Sequence, residues 1–397
     1  MSRPSISEGL KPAGRPPSPE TIVQNLKEAA CDLGFGFARI APFKPPPYAE
    51  HLQTWLENGS HGEMAWLARD PDKRADPKAL WPEGRSILTV GMNYYQSALP
   101  MEILTDPSHG RFARYAWGLD YHDLMLDRLK QLGEQLPDLT RRSVKWRAYV
   151  DTGPLLERPI SVSAGAGFLG KNTLMIERKL GSWFFLGELL LDLELLPDET
   201  DKAMFGCGDC HRCGESCPTG ALDSPWSVDA PKCISYLTIE SKGPIPRGLR
   251  SKMGNWIYGC DVCQDVCPYN ARGKSSSAEP HFLLRDPNRA APLLTDLIKL
   301  DDEAFQAMFR GSAVKRTKRR GLLRNVAVAL GNWGEEKAVK PLATALSDSE
   351  PLIRGHAAWA LGRIPGSNSR NALEKALIGE TDGWVLEEIR TALEERP

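Results

Sequence analysis

At 397 residues, with 41% apolar and 25% charged side chains, the chain has room for two or three globular domains and is far longer than a small electron carrier needs. Fifty basic against 51 acidic residues give a formal charge of −1, which excludes a polycation, so any polyanionic partner must meet a local patch. No run is long and apolar enough to span a bilayer, and the opening MSRPSISEGLKPAGRPPSPE lacks the apolar core of an export signal; a cytoplasmic protein with reduced thiols and no membrane partner is expected.

Residues 1–19 are rich in Pro, Ser and Gly and are expected to form a disordered leader. From 20 to 202, helical stretches such as TIVQNLKEAACDLG and DYHDLMLDRLKQLGEQL alternate with apolar strands such as SILTVGMNYY, RAYVD and SWFFLGELLLDLEL, which predicts a mixed α+β domain. Cys31, inside the first of these helices, reads as a small buried hydrophobe. Gly165-Ala166-Gly167-Phe168-Leu169-Gly170 fits a dinucleotide fingerprint, yet the RPISVSA before it is only a weak strand. The same loop almost makes a phosphate-binding loop, with Asn172 where the magnesium-binding Ser or Thr belongs. Asp151-Thr152-Gly153 copies an aspartic-protease triplet, but that chemistry needs two carboxylates and the chain has one such triplet. Asp151 itself has two readings. It ends an apolar strand, and with Pro154 at a first helical position it could cap a helix; it could equally be a proton donor.

Cysteines dominate residues 203–279. Cys207-x2-Cys210-x2-Cys213-x3-Cys217-Pro218 and Cys260-x2-Cys263-x3-Cys267-Pro268 flank Cys233, the spacing of a two-cluster ferredoxin. In that arrangement the cysteine before each proline crosses to the other cluster. One [4Fe-4S] cluster is therefore assigned Cys207, Cys210, Cys213 and Cys267, and the second Cys217, Cys233, Cys260 and Cys263. Zinc sites rarely use three-cysteine runs closed by Cys-Pro. Asp209-Cys210-His211-Arg212-Cys213-Gly214 also fits a cobalt-binding DxHxxG pattern, but two of its interior positions are cluster cysteines, so His211 reads as a loop residue.

Residues 280–397 read as helical throughout. A shift of 31 residues aligns Asn325–Gly331 with His356–Gly362, and a weaker copy follows near Val385 to Leu393, as in HEAT-type helical pairs. From Ala304 to Gly334 there is no acidic residue, while Arg310, Lys315, Arg316, Lys318, Arg319, Arg320 and Arg324 form a basic run. Such a run could track phosphates, or be a solvated helix face.

The strings ARYAWGLDYHD, YVDTGPLLER, GAGFLGKNTLMI, SCPTGAL, YGCDVCQDVCP and FRGSAVKRTKRRGLLRNVAVALGN resemble, in order, the epoxyqueuosine reductases, from about residue 20 to the C-terminus. The resemblance implies an α+β fold built from a nitroreductase-like cobalamin domain, a two-cluster ferredoxin domain and HEAT-like repeats. It also implies reduction of epoxyqueuosine to queuosine in tRNA; a monomer served by an external one-electron donor is expected. It makes Asp151 the proton donor, whose pKa burial beside the corrin should raise. Arg74, Ala113, Met175, Leu186, Ser235 and Asp261 match cobalamin-contacting positions, and the basic residues, with Lys242 near the pocket mouth, become tRNA contacts. A reductive dehalogenase shares the pairing of corrin with two clusters but not the basic helical tail. A plain electron-transfer scaffold leaves the N-terminal domain idle.

Overall fold

The computed structural model describes residues 17–199, 206–271, 275–284 and 286–395, so most of the leader expected at 1–19 lies outside the described residues. The first helix, Pro19–Asp32, starts where Ser18 Oγ accepts the Thr21 amide at 3.2 Å and Pro19 supplies a pre-set φ. It buries Ile22, Leu26, Ala29 and Ala30. Cys31 falls beside that stripe and is exposed, correcting the expectation of a buried thiol: helical periodicity and not residue type decides its side.

Strands β1 (Phe37–Pro42), β2 (Ser86–Asn93), β3 (Arg111–Phe112), β4 (Trp146–Tyr149), β5 (Phe168–Leu169), β6 (Met175–Ile176), β7 (Phe184–Leu191) and β8 (Trp256–Tyr258) follow in chain order. The main sheet has the order β1-β2-β7-β4 and is antiparallel throughout, with Leu88 opposite Leu189 and Tyr149 opposite Glu188. Both faces are covered, which is why β2 and β7 are apolar almost without alternation. Phe185, Leu189 and Leu191 share a core with Met125, Leu129 and Leu132 of the helix Tyr121–Thr140. Leu190 packs on the other face against Ile160 and Ala164, from and just after the helix Glu157–Ser163. Period-two alternation puts Glu188 on that second face too.

RPISVSA is thus part of a helix and not a weak strand, since it covers a sheet face, with Ile160 and Ala164 packed against Leu190. The glycine loop after it leads into the short β5–β6 hairpin, so the strand–loop–helix geometry of a dinucleotide site does not form. The same helix starts at Glu157, three residues after Pro154, and Asp151 caps nothing.

The cysteine-rich stretch is tied to the sheet domain through β8, which runs parallel to β3, and through Ser277, whose amide bonds to the Tyr95 carbonyl at 2.8 Å. Five helices close the chain: Lys318–Trp333, Val339–Ala345, Pro351–Gly362, Ser367–Gly379 and Gly383–Glu394. The repeated Leu-Gly has a packing cause. A Cβ on Gly331 would meet the Ala360 Cα at 2.8 Å, and one on Gly362, 31 positions later, would meet the Ala392 Cα at 3.0 Å. Each glycine lets the corresponding helix of the next repeat approach closely.

The last helix is pinned to the cysteine-rich stretch by charge. Arg250, fully buried, donates to both oxygens of Glu388 at 2.6 and 2.9 Å and to the Ile245 carbonyl at 2.8 Å, and Arg247 adds a further bond to Glu388. Removing one partner strands a buried charge. Glu388→Ala is expected to cost about 3–5 kcal/mol, read as a fall in the denaturation midpoint with the denaturant slope unchanged.

Candidate active site

Two cavities separate the eight cysteines. The smaller, about 250 Å³, is lined by Cys207, Cys210, Cys213 and Cys267; the larger, about 1280 Å³, carries Cys217, Cys233, Cys260 and Cys263 in its wall. The fold thus brings together the two quartets drawn from spacing, with Cys217 and Cys267 each exchanged into the other run's group. Burial pushes the Cys213, Cys233, Cys260, Cys263 and Cys267 thiols up, and for Cys263 the neighbouring Cys260 and Cys233 add to it. Thiolates crowded this way need compensating positive charge, which iron in a thiolate-ligated cluster supplies; the donor set fits two such clusters.

Asp151, just past the end of β4, lines the same larger cavity. Its backbone is left-handed, with φ of 54°, and its amide donates to Glu157 Oε1 at 2.6 Å. Its Oδ2 lies 3.2 Å from His122 Nε2, and His122 Nδ1 lies 2.7 Å from Asp120 Oδ1. Asp120 also caps the helix Tyr121–Thr140, so a helix start fixes the imidazole between two carboxylates. The ring is stacked on Tyr121 at 4.0 Å, and Tyr121 on Phe185 at 3.9 Å. Burial disfavours the imidazolium, but the hydrogen bonds to Asp120 and Asp151 outweigh it and raise His122 to about 9.

For Asp151 the expectation was a raised pKa, and the result is the reverse. Burial acts in the expected direction, but the hydrogen bond and charge of His122, helped by Arg316 and Arg158, hold the carboxyl below its usual range. In this arrangement the proton rests on His122.

Ala113, Met175, Leu186, Ser235 and Asp261 all line the same cavity. Burial pushes Asp261 up to about 6 against the opposing pull of Arg114, whose amide it accepts at 2.8 Å. Arg74 stands behind the wall, buried, and bonds the carbonyls of Gly153 and Trp66 at 3.4 Å each; its Nε has no partner.

The basic run divides. Lys242, Lys315, Lys318 and Arg320 are exposed, and Arg320 reaches the Lys242 carbonyl at 3.3 Å. Arg316 lines the cavity and pairs with Glu240 at 2.7 Å. Two residues are corrected. Arg324 is buried, donating to the Leu237, Ser241 and Gly243 carbonyls, and the Arg319 guanidinium is held by Asp348 and the Leu300 carbonyl. These two hold helices together and present no free charge to a phosphate.

A family model described as Epoxyqueuosine reductase QueG, DUF1730 matches residues 74–152, one described as 4Fe-4S double cluster binding domain matches 206–270, and one described as HEAT repeats matches 312–394. The epoxyqueuosine reductase of Escherichia coli (strain K12) is 41% identical over 343 residues, covering 86% of this chain and 89% of that protein. The chain belongs to the epoxyqueuosine reductase family. Its Xanthomonas campestris relative is 39% identical over 350 residues, 87% of this chain and 97% of that one. A solved epoxyqueuosine reductase carrying an epoxyqueuosine-modified tRNA-Tyr stem loop superposes with a TM-score of 0.86 at 31% identity, over 95% of this chain and 99% of that one. A Bacillus subtilis epoxyqueuosine reductase, with its catalytic loop swung out of the active site, gives 0.86 at 31% identity, over 96% and 100%.

Three residues at this site, His122, Glu157 and Glu188, had been given no role from the sequence. His122 stood in the quoted string ARYAWGLDYHD with no role. Glu188 carried a usable signal, as the one charged residue in the buried strand FFLGELLL.

Proposed function

We propose that this chain reduces epoxyqueuosine to queuosine in tRNA, with cobalamin in the larger cavity and a [4Fe-4S] cluster in each cysteine quartet. The observation that carries the reading is a single cavity of about 1280 Å³ whose lining holds both a cysteine quartet and the Asp120–His122–Asp151 array. When bound, the clusters supply single electrons and the cobalamin a two-electron reductant.

Removing the epoxide oxygen as water takes two electrons and two protons, so the protein must deliver protons to one oxygen. Asp151 faces the cavity with 53% of its side chain exposed, and His122 behind it is 26% exposed. A proton moving from His122 Nε2 to Asp151 Oδ2 and on to the departing oxygen needs only the 3.2 Å contact already formed. Asp120 holds the imidazole so that Nε2 points at Asp151. Filling the cavity excludes water, which favours the neutral Asp151–His122 pair over the ionised one and readies the acid. Ala113, Met175, Leu186 and Ser235 would bound the macrocycle, Asp261 would stand between it and Cys260, and Arg74 would brace the Asp151 loop through Gly153.

The α+β portion, 20–202, is read as a nitroreductase-like cobalamin domain, 203–279 as the two-cluster domain and 280–397 as the HEAT-like domain, in a cytoplasmic monomer served by an external one-electron donor. Among the described residues no helix is long and apolar enough to cross a membrane. Lys242, Lys315, Lys318 and Arg320, with Arg316 at the rim, are the proposed tRNA face. Replacing Lys315, Lys318 and Arg320 together with Gln is expected to weaken tRNA binding and flatten the slope of log K against log salt by roughly 2. An unchanged slope removes the face from the interface.

The deciding experiment reconstitutes the protein with iron, sulphide and cobalamin, reduces it anaerobically and analyses an epoxyqueuosine-containing stem loop by mass spectrometry. Queuosine is the expected product; a fully loaded protein that leaves the epoxide intact overturns the reading.

A further inference from the structure

Behind Asp151 lie two carboxyls that the reaction above does not use. Glu157 Oε1 accepts the Asp151 amide at 2.6 Å. Glu188, fully buried on β7, receives the Thr89 hydroxyl on Oε1 at 3.5 Å, and that hydroxyl also meets Ser161 Oγ at 2.6 Å. Glu188 Oε2 has no donor among the described residues. Its carboxyl neighbour is Glu157, and each of the two acts on the other's titration.

Two carboxylates accept and cannot donate, so this contact is favourable only with a proton between them. Among the described residues no cation is hydrogen-bonded to either carboxyl. Arg158 and Arg74 are the nearby positive groups, and Arg158 donates to the Thr173 carbonyl at 3.0 Å while Arg74 donates to Gly153 and Trp66; Asp151 and Tyr121 are the other titratable neighbours. Burial, with Asp151 adding to it, pushes Glu157 up to about 7, and burial together with Glu157 holds Glu188 well above the ordinary carboxyl value.

We propose that Glu157 and Glu188 share one proton at neutral pH and that this pair is the latch positioning the Asp151 loop, an inference that rests on Asp151 being the proton donor. Glu188 donates to Glu157, and Glu157, fixed in this way, accepts the Asp151 amide. The left-handed backbone at Asp151, unfavourable for a residue with a side chain, needs such a hold from outside the loop. Glu157 and Glu188 are positioning residues, acting on the substrate only through Asp151.

Infrared spectra of the loaded enzyme near neutral pH test the shared proton directly. A protonated-carboxyl band is expected in the unaltered protein and in Asp151→Asn, and is expected to vanish in Glu188→Gln and in Glu157→Gln. Glu188→Gln keeps a donor to Glu157, so kcat should stay within about threefold, whereas Glu157→Ala should lower kcat at least about tenfold with KM for tRNA unchanged. Hydrogen exchange at the Asp151 amide should accelerate in Glu157→Ala and not in Glu188→Gln. No such band, or a band surviving both Gln substitutions, overturns the shared proton; unchanged exchange and kcat in Glu157→Ala overturn the latch. If Asp151→Asn turns over normally while the band behaves as expected, the proton-donor reading fails and the acid pair stands. Should Glu157→Ala not fold, the two Gln variants still decide the shared proton, and Glu188→Leu, which removes the donor, replaces it in the exchange and kcat tests.

Discussion

Asp151→Asn is expected to lower turnover by about 10²–10⁴-fold while iron content, cobalamin binding and tRNA affinity stay as they are. The amide keeps the size and the contact with Glu157 but holds no transferable proton. His122→Asn should cost less, about 10–100-fold, because solvent can still protonate Asp151, only without a directed route. The two variants differ in pH dependence. His122 is raised to about 9, so its charged contacts with Asp120 and Asp151 are fully present below the ordinary histidine value and are lost as pH rises through about 9. Turnover of the unaltered enzyme should therefore fall on that alkaline side, and His122→Asn should lack this limb. A His122→Asn profile that superposes on the original takes His122 out of the proton path. An Asp151→Asn enzyme at full rate takes out Asp151 as well.

What the sequence carried and what it hid divide along physical lines. Cysteine spacing is a local constraint, and the two quartets it proposes, with Cys217 and Cys267 exchanged, line separate cavities. The helices Pro19–Asp32 and Tyr121–Thr140 and strands β2 and β7 were legible from periodicity for the same reason. Side-chain partners across long sequence separations were not. His122 and Asp151 are 29 residues apart and meet only because a helix start and a strand end converge on one cavity. That contact reverses the direction of the Asp151 shift, which burial alone would have raised. Arg319 and Arg324 failed as surface charges because Asp348 and the carbonyls of 237–243 reach them through the packing of the helical tail, which charge counting along the chain cannot see. RPISVSA failed as a strand because its short β-branched run is decided by the sheet face it covers.

The exchanged cysteines lead to the second large effect. Sequence adjacency would group Cys217 with Cys207, Cys210 and Cys213, but Cys217 lines the large cavity and Cys267 the small one. Cys217→Ala is therefore expected to damage the cluster of the larger cavity, the inner one, removing up to about four of about eight irons and abolishing turnover, with the EPR signal of the outer cluster, that of the smaller cavity, intact. Cys267→Ala should do the opposite to the spectra. Its effect on turnover separates two roles. If the outer quartet only relays electrons inward from the external donor, a small chemical reductant able to enter the open cavity should restore much of the rate in Cys267→Ala and none in Cys217→Ala. The proximity of Cys263 and Cys213, close enough for the charge of one to act on the other, makes the inner quartet the natural next stop from the outer one. Identical spectra for Cys217→Ala and Cys207→Ala would mean that the cysteines group by run after all, and the division of the two cavities would then not describe the ligand sets.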